Sequence, residues 1–355
     1  MRKFSRVAFF ILIYLAACAR ATPTTVSLGA LETTTPTAPI QNVAPTLPPA
    51  SPAERIATVT AEMTREATPA PAWALEPPMQ VARGEVAAAG LNGKIYVIGG
   101  FGGFEVVEEF DPQRETKWRS IAALPEGRHH PAAASANGKL YVLGGYTALG
   151  SPSDAVFEYD PATEKWQTRA NMPTARGALA AVTLDGKIYA VGGVAYNGDT
   201  GALEVYDPMR DVWETRAAMP TPRDHLAAGV VNGKLYVAGG RVGSYADNVN
   251  VNEEYDPATN QWRTRAKLPT ARSGIAGAVL NNLFFVFGGE SPLGTYNQAE
   301  AYDPEKNEWL TFSEMPTPRH GHGAAVLGNR IYVLAGGRTP GGSVSNLNEV
   351  LTLSR

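Results

Sequence analysis

Cysteine is nearly absent: the chain of 355 residues has one, Cys18. A single thiol excludes an intrachain disulfide and a cysteine-rich zinc site. Basic runs are missing beyond the first six residues, and the formal net charge is -3. The electrostatic footprint of a nucleic-acid binder is therefore missing too. There is no phosphate-binding glycine loop, no dinucleotide fingerprint and no context for a Ser-His-Asp triad. Histidine is scarce, with five residues in all. What is plentiful is turn-forming, 36 Gly and 27 Pro, which points to many turns rather than long helices.

The N-terminus opens with a basic "MRKFSR" and an apolar "VAFFILIYLAA". That run is short for a membrane span and fits the apolar region of a signal peptide. It ends in "LAAC", Leu15 to Cys18, which resembles the lipobox of bacterial lipoproteins. The resemblance implies cleavage before Cys18 and acylation of its thiol, with residues 1–17 as signal peptide. Ala19 follows rather than Asp, so no inner-membrane retention signal of the Gram-negative type is read. Loss of Arg2, Lys3 and Arg6 would make the exported chain more acidic. Residues 18–70 are rich in Thr, Pro and Ala and poor in aromatics. Such a segment buries too little apolar surface to offset its ordering entropy, and it is expected to be a solvated tether.

From residue 71 one pattern governs the text. Trp118, Trp166, Trp213, Trp262 and Trp309 recur 47 to 49 residues apart, a period that means a propeller or an array. Each follows an Asp-Pro (Asp111, Asp160, Asp207, Asp256, Asp303) and precedes an Arg by ten residues. A Gly pair closes a near-continuous apolar run in each unit, as in "NGKLYVLGG" from Asn137 to Gly145. Asn-Gly or Asp-Gly before that run supplies the two positive φ angles of a hairpin turn. The unbroken apolar run fits a strand buried on both faces.

This order of Gly pair, Tyr-Asp-Pro and Trp resembles the kelch repeat. The resemblance implies one four-stranded blade per repeat and an all-β fold, a six-bladed propeller over residues 71–355. Six apolar runs end in a Gly pair, but only five of these are followed by Asp-Pro and Trp. Trp73 precedes Arg83 by the same ten residues. "AWALEPP" is therefore expected to be the missing fourth strand of blade six, closing the ring and removing exposed sheet edges. In blade six, "VLAGG" places the Gly pair one position late, which allows a bulge. In blade five, "NNL" replaces the Asn-Gly turn, and Asn tolerates the left-handed conformation.

Candidate site residues lie between the repeat markers. The complete column Arg83, Arg128, Arg176, Arg223, Arg272 and Arg319 has two readings. One is ion pairing with a glutamate column, Glu108, Glu204, Glu253, Glu300 and Glu349, displaced in blade two to Glu158. The other is a cationic rim that takes carboxylates, for which Arg suits bidentate contact. All five histidines follow these arginines: His129, His130, His225, His320 and His322. They fall in blades two, four and six, and His130, His225 and His320 are the ones a metal would use. Strand neighbours point to opposite faces, so not all five are expected to converge. No metal and no cofactor is expected. The loops after the Gly pairs add Tyr146, Tyr196, Arg241, Tyr245, Glu290, Tyr296 and Arg338, a mixture suited to sugars or protein contact.

The favoured function is a lipid-anchored, extracytoplasmic binding module at the bacterial envelope. Its partners would be the membrane, through Cys18, and a protein, peptide or acidic glycan on the loop face. Nucleic acid is not expected, and the propeller is read as monomeric. The alternative is a sugar-modifying enzyme similar to the six-bladed N-acetylneuraminate epimerase/mutarotase. Glu85, His130, His225 and Glu290 would then supply acid–base groups. The copper oxidases among kelch propellers are excluded, because their cysteine-crosslinked tyrosine needs a Cys that the propeller lacks.

Overall fold

A computed structural model describes residues 71–353. The expected signal peptide and tether lie outside these residues. Every regular element described is a β-strand. The strands form six four-stranded antiparallel sheets. Blade one shows the order: Ala87–Leu91, Lys94–Ile98, Val107–Phe110 and Trp118–Ser120, each paired with the next. Two short hairpins, Val194–Ala195 with Gly198–Asp199 and Glu290–Ser291 with Gly294–Thr295, extend the loops after the Gly pairs in blades three and five.

The first strand of each sheet faces the axis. Its closest approach carries small residues: Ala88, Ala133, Ala181, Ala228, Gly277 and Ala324 surround a central space of about 380 Å³. Larger side chains there would hold the six strands apart. The core consists of six wedges between neighbouring sheets. In one of them, Ile95, Val97, Phe110 and Trp118 of blade one meet Tyr332, Leu334 and Val350 of blade six. The fully buried second strands explain the unbroken apolar runs of the sequence.

The repeated Trp is a latch between blades. Its indole N–H donates to a carbonyl of the preceding blade: Trp166 to Ala122 at 2.8 Å, Trp262 to Ala217 at 2.7 Å, Trp309 to Ala266 at 2.8 Å. Trp73 continues the series with a bond to Ser313 O at 2.8 Å, and Trp118 takes Pro77 O at 2.8 Å. Strand Ala72–Leu75 pairs with Asn348–Thr352 as the outer strand of the last sheet, in the register Trp73 to Leu351. Trp73 is half-buried, against the edge of Phe287, rather than enclosed.

Two local features differ from expectation or explain it. No bulge is needed in blade six. Ala335 (φ 62°) and Gly336 (φ 94°) take the places that Gly99 (φ 60°) and Gly100 (φ 96°) hold in blade one. Ala335 therefore sits in the left-handed region that costs a non-glycine residue about 1–2 kcal/mol. In blade five, Asn281 (φ 53°) and Asn282 (φ 60°) keep the hairpin turn.

Candidate functional site

The loops around the arginines and after the Gly pairs share one face of the ring. The residue two places after each Arg is Glu85, His130, Ala178, His225, Gly274 or Gly321, and all but the glycines are L-residues held at φ 51–55°. Their backbones form a hydrogen-bonded circle. His130 N–H donates to Glu85 O (2.9 Å), Ala178 to His130 (3.0 Å), His225 to Ala178 (3.0 Å), Gly274 to His225 (3.0 Å) and Gly321 to Gly274 (2.9 Å). Val86 N–H completes it on Gly321 O at 3.3 Å. This circle turns Glu85, His130 and His225 towards the axis, over a cavity of about 70 Å³.

The positive φ also breaks strand alternation, so neighbouring side chains converge. His129 and His130 both face the site, with their Nδ1 atoms 2.6 Å apart. His129 stacks between Phe101 (4.6 Å) and Tyr146 (5.3 Å). Asp224, beside His225, accepts from His225 Nδ1 at 2.5 Å and from Arg241 Nε at 2.8 Å. Arg241 and Glu290 occupy the position after the Gly pair, as Phe101 and Tyr146 do. Four of the five histidines therefore converge, although strand alternation alone would have separated the neighbours His129 and His130. His322 stays apart: it fills a position held by Val86, Pro131, Leu179, Leu226 and Ile275 in the other blades. It is buried, with neither ring nitrogen in a hydrogen bond.

Glu85 is the centre of the cluster. Its Oε2 lies 3.2 Å from His130 Nε2 and 3.9 Å from His225 Nε2, and its Oε1 lies 3.1 Å from His320 Nδ1. His320 Nδ1 is also 3.2 Å from Glu290 Oε2. Gly321 leaves room for this carboxylate, since a Cβ there would stand 2.5 Å from Glu85 Oε1. Burial works to raise the Glu85 carboxyl, but the surrounding imidazoles outweigh it and hold it well below the usual range. Burial pushes His130 down to about 3, against the pull of Glu85. His320 is raised, because its two carboxylates outweigh burial. Burial raises the Tyr146 hydroxyl to about 12. Asp224 and Asp199, which also stand here, carried no sequence signal beyond the "RDH" run.

The arginine column is not an exposed rim. All six are buried, at 0 or 1 % exposure. Five are paired with the predicted glutamates: Arg83–Glu108 at 2.7 Å, Arg223–Glu253, Arg272–Glu300 and Arg319–Glu349 each at 2.5 Å, and Arg176–Glu204. Burial lowers the proton affinity of these five guanidiniums and the paired carboxylates offset it.

Blade two departs from this. Glu158 is not a displaced partner of Arg128: it binds Tyr141 Oη at 2.8 Å and Arg169 Nε at 2.7 Å. Phe157 pairs with Val142 as Glu108 pairs with Val97, so Phe157 holds the glutamate position. The Arg128 guanidinium lies 5.6 Å from the Phe157 ring. Its carboxylate is Glu126, at 2.8 Å and 56 % exposed, and Ser153 Oγ adds a bond at 3.0 Å. Arg128 Nε has no partner. Glu126 lines a groove of about 580 Å³ between blades one and two, with Phe104, Val106, Thr147 and Leu149. Leu149 is 94 % exposed.

The remaining candidates lie outside these two clusters or at their margin. Tyr245 covers Arg241 at 5.7 Å and reaches Glu290 Oε2 at 3.3 Å. Tyr196 is exposed, and Tyr296 contributes backbone bonds to Gly289 and Arg319. Arg338 is exposed and enters no ion pair among the described residues.

Comparison with known proteins gives the same architecture. The Kelch motif matches residues 82–125, 127–173 and 175–220, and the KLHDC2/KLHL20/DRC7 Kelch-repeats domain matches residues 213–337. No curated protein matches the sequence. The solved structure of YjhT aligns with a TM-score of 0.69 at 19% identity, covering 78% of this chain and 97% of that one. At that identity the likeness speaks of the fold alone. The described residues thus form a six-bladed propeller built on Kelch repeats.

Proposed function

We propose that this protein is an exported, lipid-anchored binding module that captures a carboxylate-bearing ligand, an acidic glycan or peptide, in the groove between blades one and two. One observation carries the reading. Blade two has a buried arginine whose buried glutamate has been replaced by Phe157. A buried charge is best compensated by a buried counter-charge, so Arg128 is poised for a better partner than the exposed Glu126. A ligand carboxylate that displaced Glu126 would gain a planar two-nitrogen seat on Nη2 and Nε. Phe104, Val106 and Leu149 would take the ligand's apolar surface. Kelch propellers generally mediate protein binding, which suits an acidic peptide.

The anchor rests on Cys18, the sole cysteine, at the end of "LAAC". The alternative, a sugar-modifying enzyme, would place its acid–base groups at the axis. The cavity there is about 70 Å³, small beside the groove of about 580 Å³ between blades one and two, and this favours the binding reading. The test is thermal melting of the full chain with paired probes: glucuronate against glucose, N-acetylneuraminate against its methyl ester, and an Asp/Glu peptide against its amide. A ligand that binds only the folded ring at a hundredfold over its Kd adds about 2.7 kcal/mol of stability. A shift confined to the acids is expected; equal shifts from acids and neutral partners would sink the proposal.

A further inference from the structure

The axial cluster has an internal mismatch that a cation would resolve. His320 is 1 % exposed, and its Nε2 lies 3.1 Å from Thr339 O. A carbonyl only accepts, so Nε2 carries a proton, and Nδ1 is the ring nitrogen that faces the carboxylates. That nitrogen lies 3.1 Å from Glu85 Oε1 and 3.2 Å from Glu290 Oε2, yet it has no hydrogen-bond partner. Adding a proton to Nδ1 would give one straight bond, which two carboxylates would have to share. Glu85 and Glu290 are themselves buried, at 7 % and 2 % exposure. The nearby Arg241 is spent chiefly on Asp224, at 2.8 Å, and stands 3.7 Å from Glu290.

We infer that Glu85, Glu290 and His320 form a binding site for one divalent transition-metal ion, zinc by preference. Their donor atoms lie within 4.8 Å of one another. Donors about 2.1 Å from a tetrahedral ion stand about 3.4 Å apart, close to the spacings here. A +2 ion answers both carboxylates at once. The imidazole favours a late first-row metal over calcium or magnesium. The surroundings have the form of an outer ligand shell. Thr339 O fixes the His320 tautomer, and Gly341 N–H (3.0 Å) and Tyr245 Oη (3.3 Å) hold Glu290 Oε2. Gly321 makes room for Glu85. Blades one, five and six each supply one ligand, so the ion would also tie the seam where the chain closes its ring.

The test is titration of the chelator-stripped full chain with Zn²⁺ and, separately, with Co²⁺ followed by visible absorption. One equivalent of each is expected, with Co²⁺ bands of nitrogen–oxygen ligation. E290Q, checked for folding by circular dichroism, should bind at least about tenfold more weakly. No uptake by the wild-type chain would overturn the assignment, as would preference for Ca²⁺ or Mg²⁺. So would unchanged Zn²⁺ affinity in folded E290Q. A ¹⁵N-histidine spectrum that keeps His320 Nδ1 protonated under excess Zn²⁺ would refute it without any variant.

Discussion

Replacing Glu253 by glutamine keeps the shape beneath Arg223 and removes the charge. Arg223 is fully buried and commits its donors to Glu253 Oε2 (2.5 Å), Gly239 O (2.8 Å), Val237 O (2.9 Å) and Thr221 O (2.9 Å). Glu253 Oε1 takes Thr221 Oγ1 at 2.8 Å. In Glu253→Gln the guanidinium keeps its carbonyls but loses its counter-charge, and an amide group faces it. Breaking a buried pair from one side costs about 3–5 kcal/mol. With unfolding entropy of about 2.1 cal/mol/K per residue over roughly 280 residues, 1 kcal/mol is about 1.7 °C, so Tm should fall by about 5–8 °C. Glu126→Gln removes a partner that is itself largely exposed, so water can replace it, and Tm should fall by clearly less than in Glu253→Gln. Calorimetric melting of the two variants beside the wild type is the assay. Equal shifts would refute the claim that the column is structural in blade four and loosely satisfied in blade two.

Three further outcomes are expected. A chain beginning at Met79 lacks the strand Ala72–Leu75 and the Trp73 latch, and should melt well below one beginning at Pro69; equal melting would contradict closure by that strand. Ala335→Gly should stabilise the ring by about 1 kcal/mol in urea unfolding, because it relieves a left-handed alanine. Cys18→Ser should abolish metabolic labelling with palmitate and release the protein from the membrane fraction; continued labelling would exclude the lipid anchor at that residue.

The blade count was legible because Trp, Gly pair and Asp-Pro recur in register, and a ring of sheets is what such a period can build. The Arg–Glu column was legible for five blades for the same reason. It failed in blade two because Glu158 is one residue from the column position. In a strand, one residue is the difference between the two faces of the sheet. The axial convergence was harder to read. It depends on a left-handed residue two places after each Arg, and Glu85, His130, Ala178 and His225 do not advertise that conformation. Gly274 and Gly321, in the same position of blades five and six, were the available signal. The half-burial of Trp73 was not visible either, since an outer strand keeps one face towards solvent.

The most direct test of the binding account restores to blade two what the other blades have. Phe157→Glu should give Arg128 its buried carboxylate while leaving the groove residues and Arg128 itself in place. The measurement is the calorimetric affinity of the strongest acidic ligand from the melting panel, for wild type and Phe157→Glu, with Tm recorded for both. At least a tenfold loss of affinity is expected, in a variant that melts no lower than the wild type. Unchanged affinity in a folded Phe157→Glu protein would contradict the binding account, because the ligand would then be bound without Arg128.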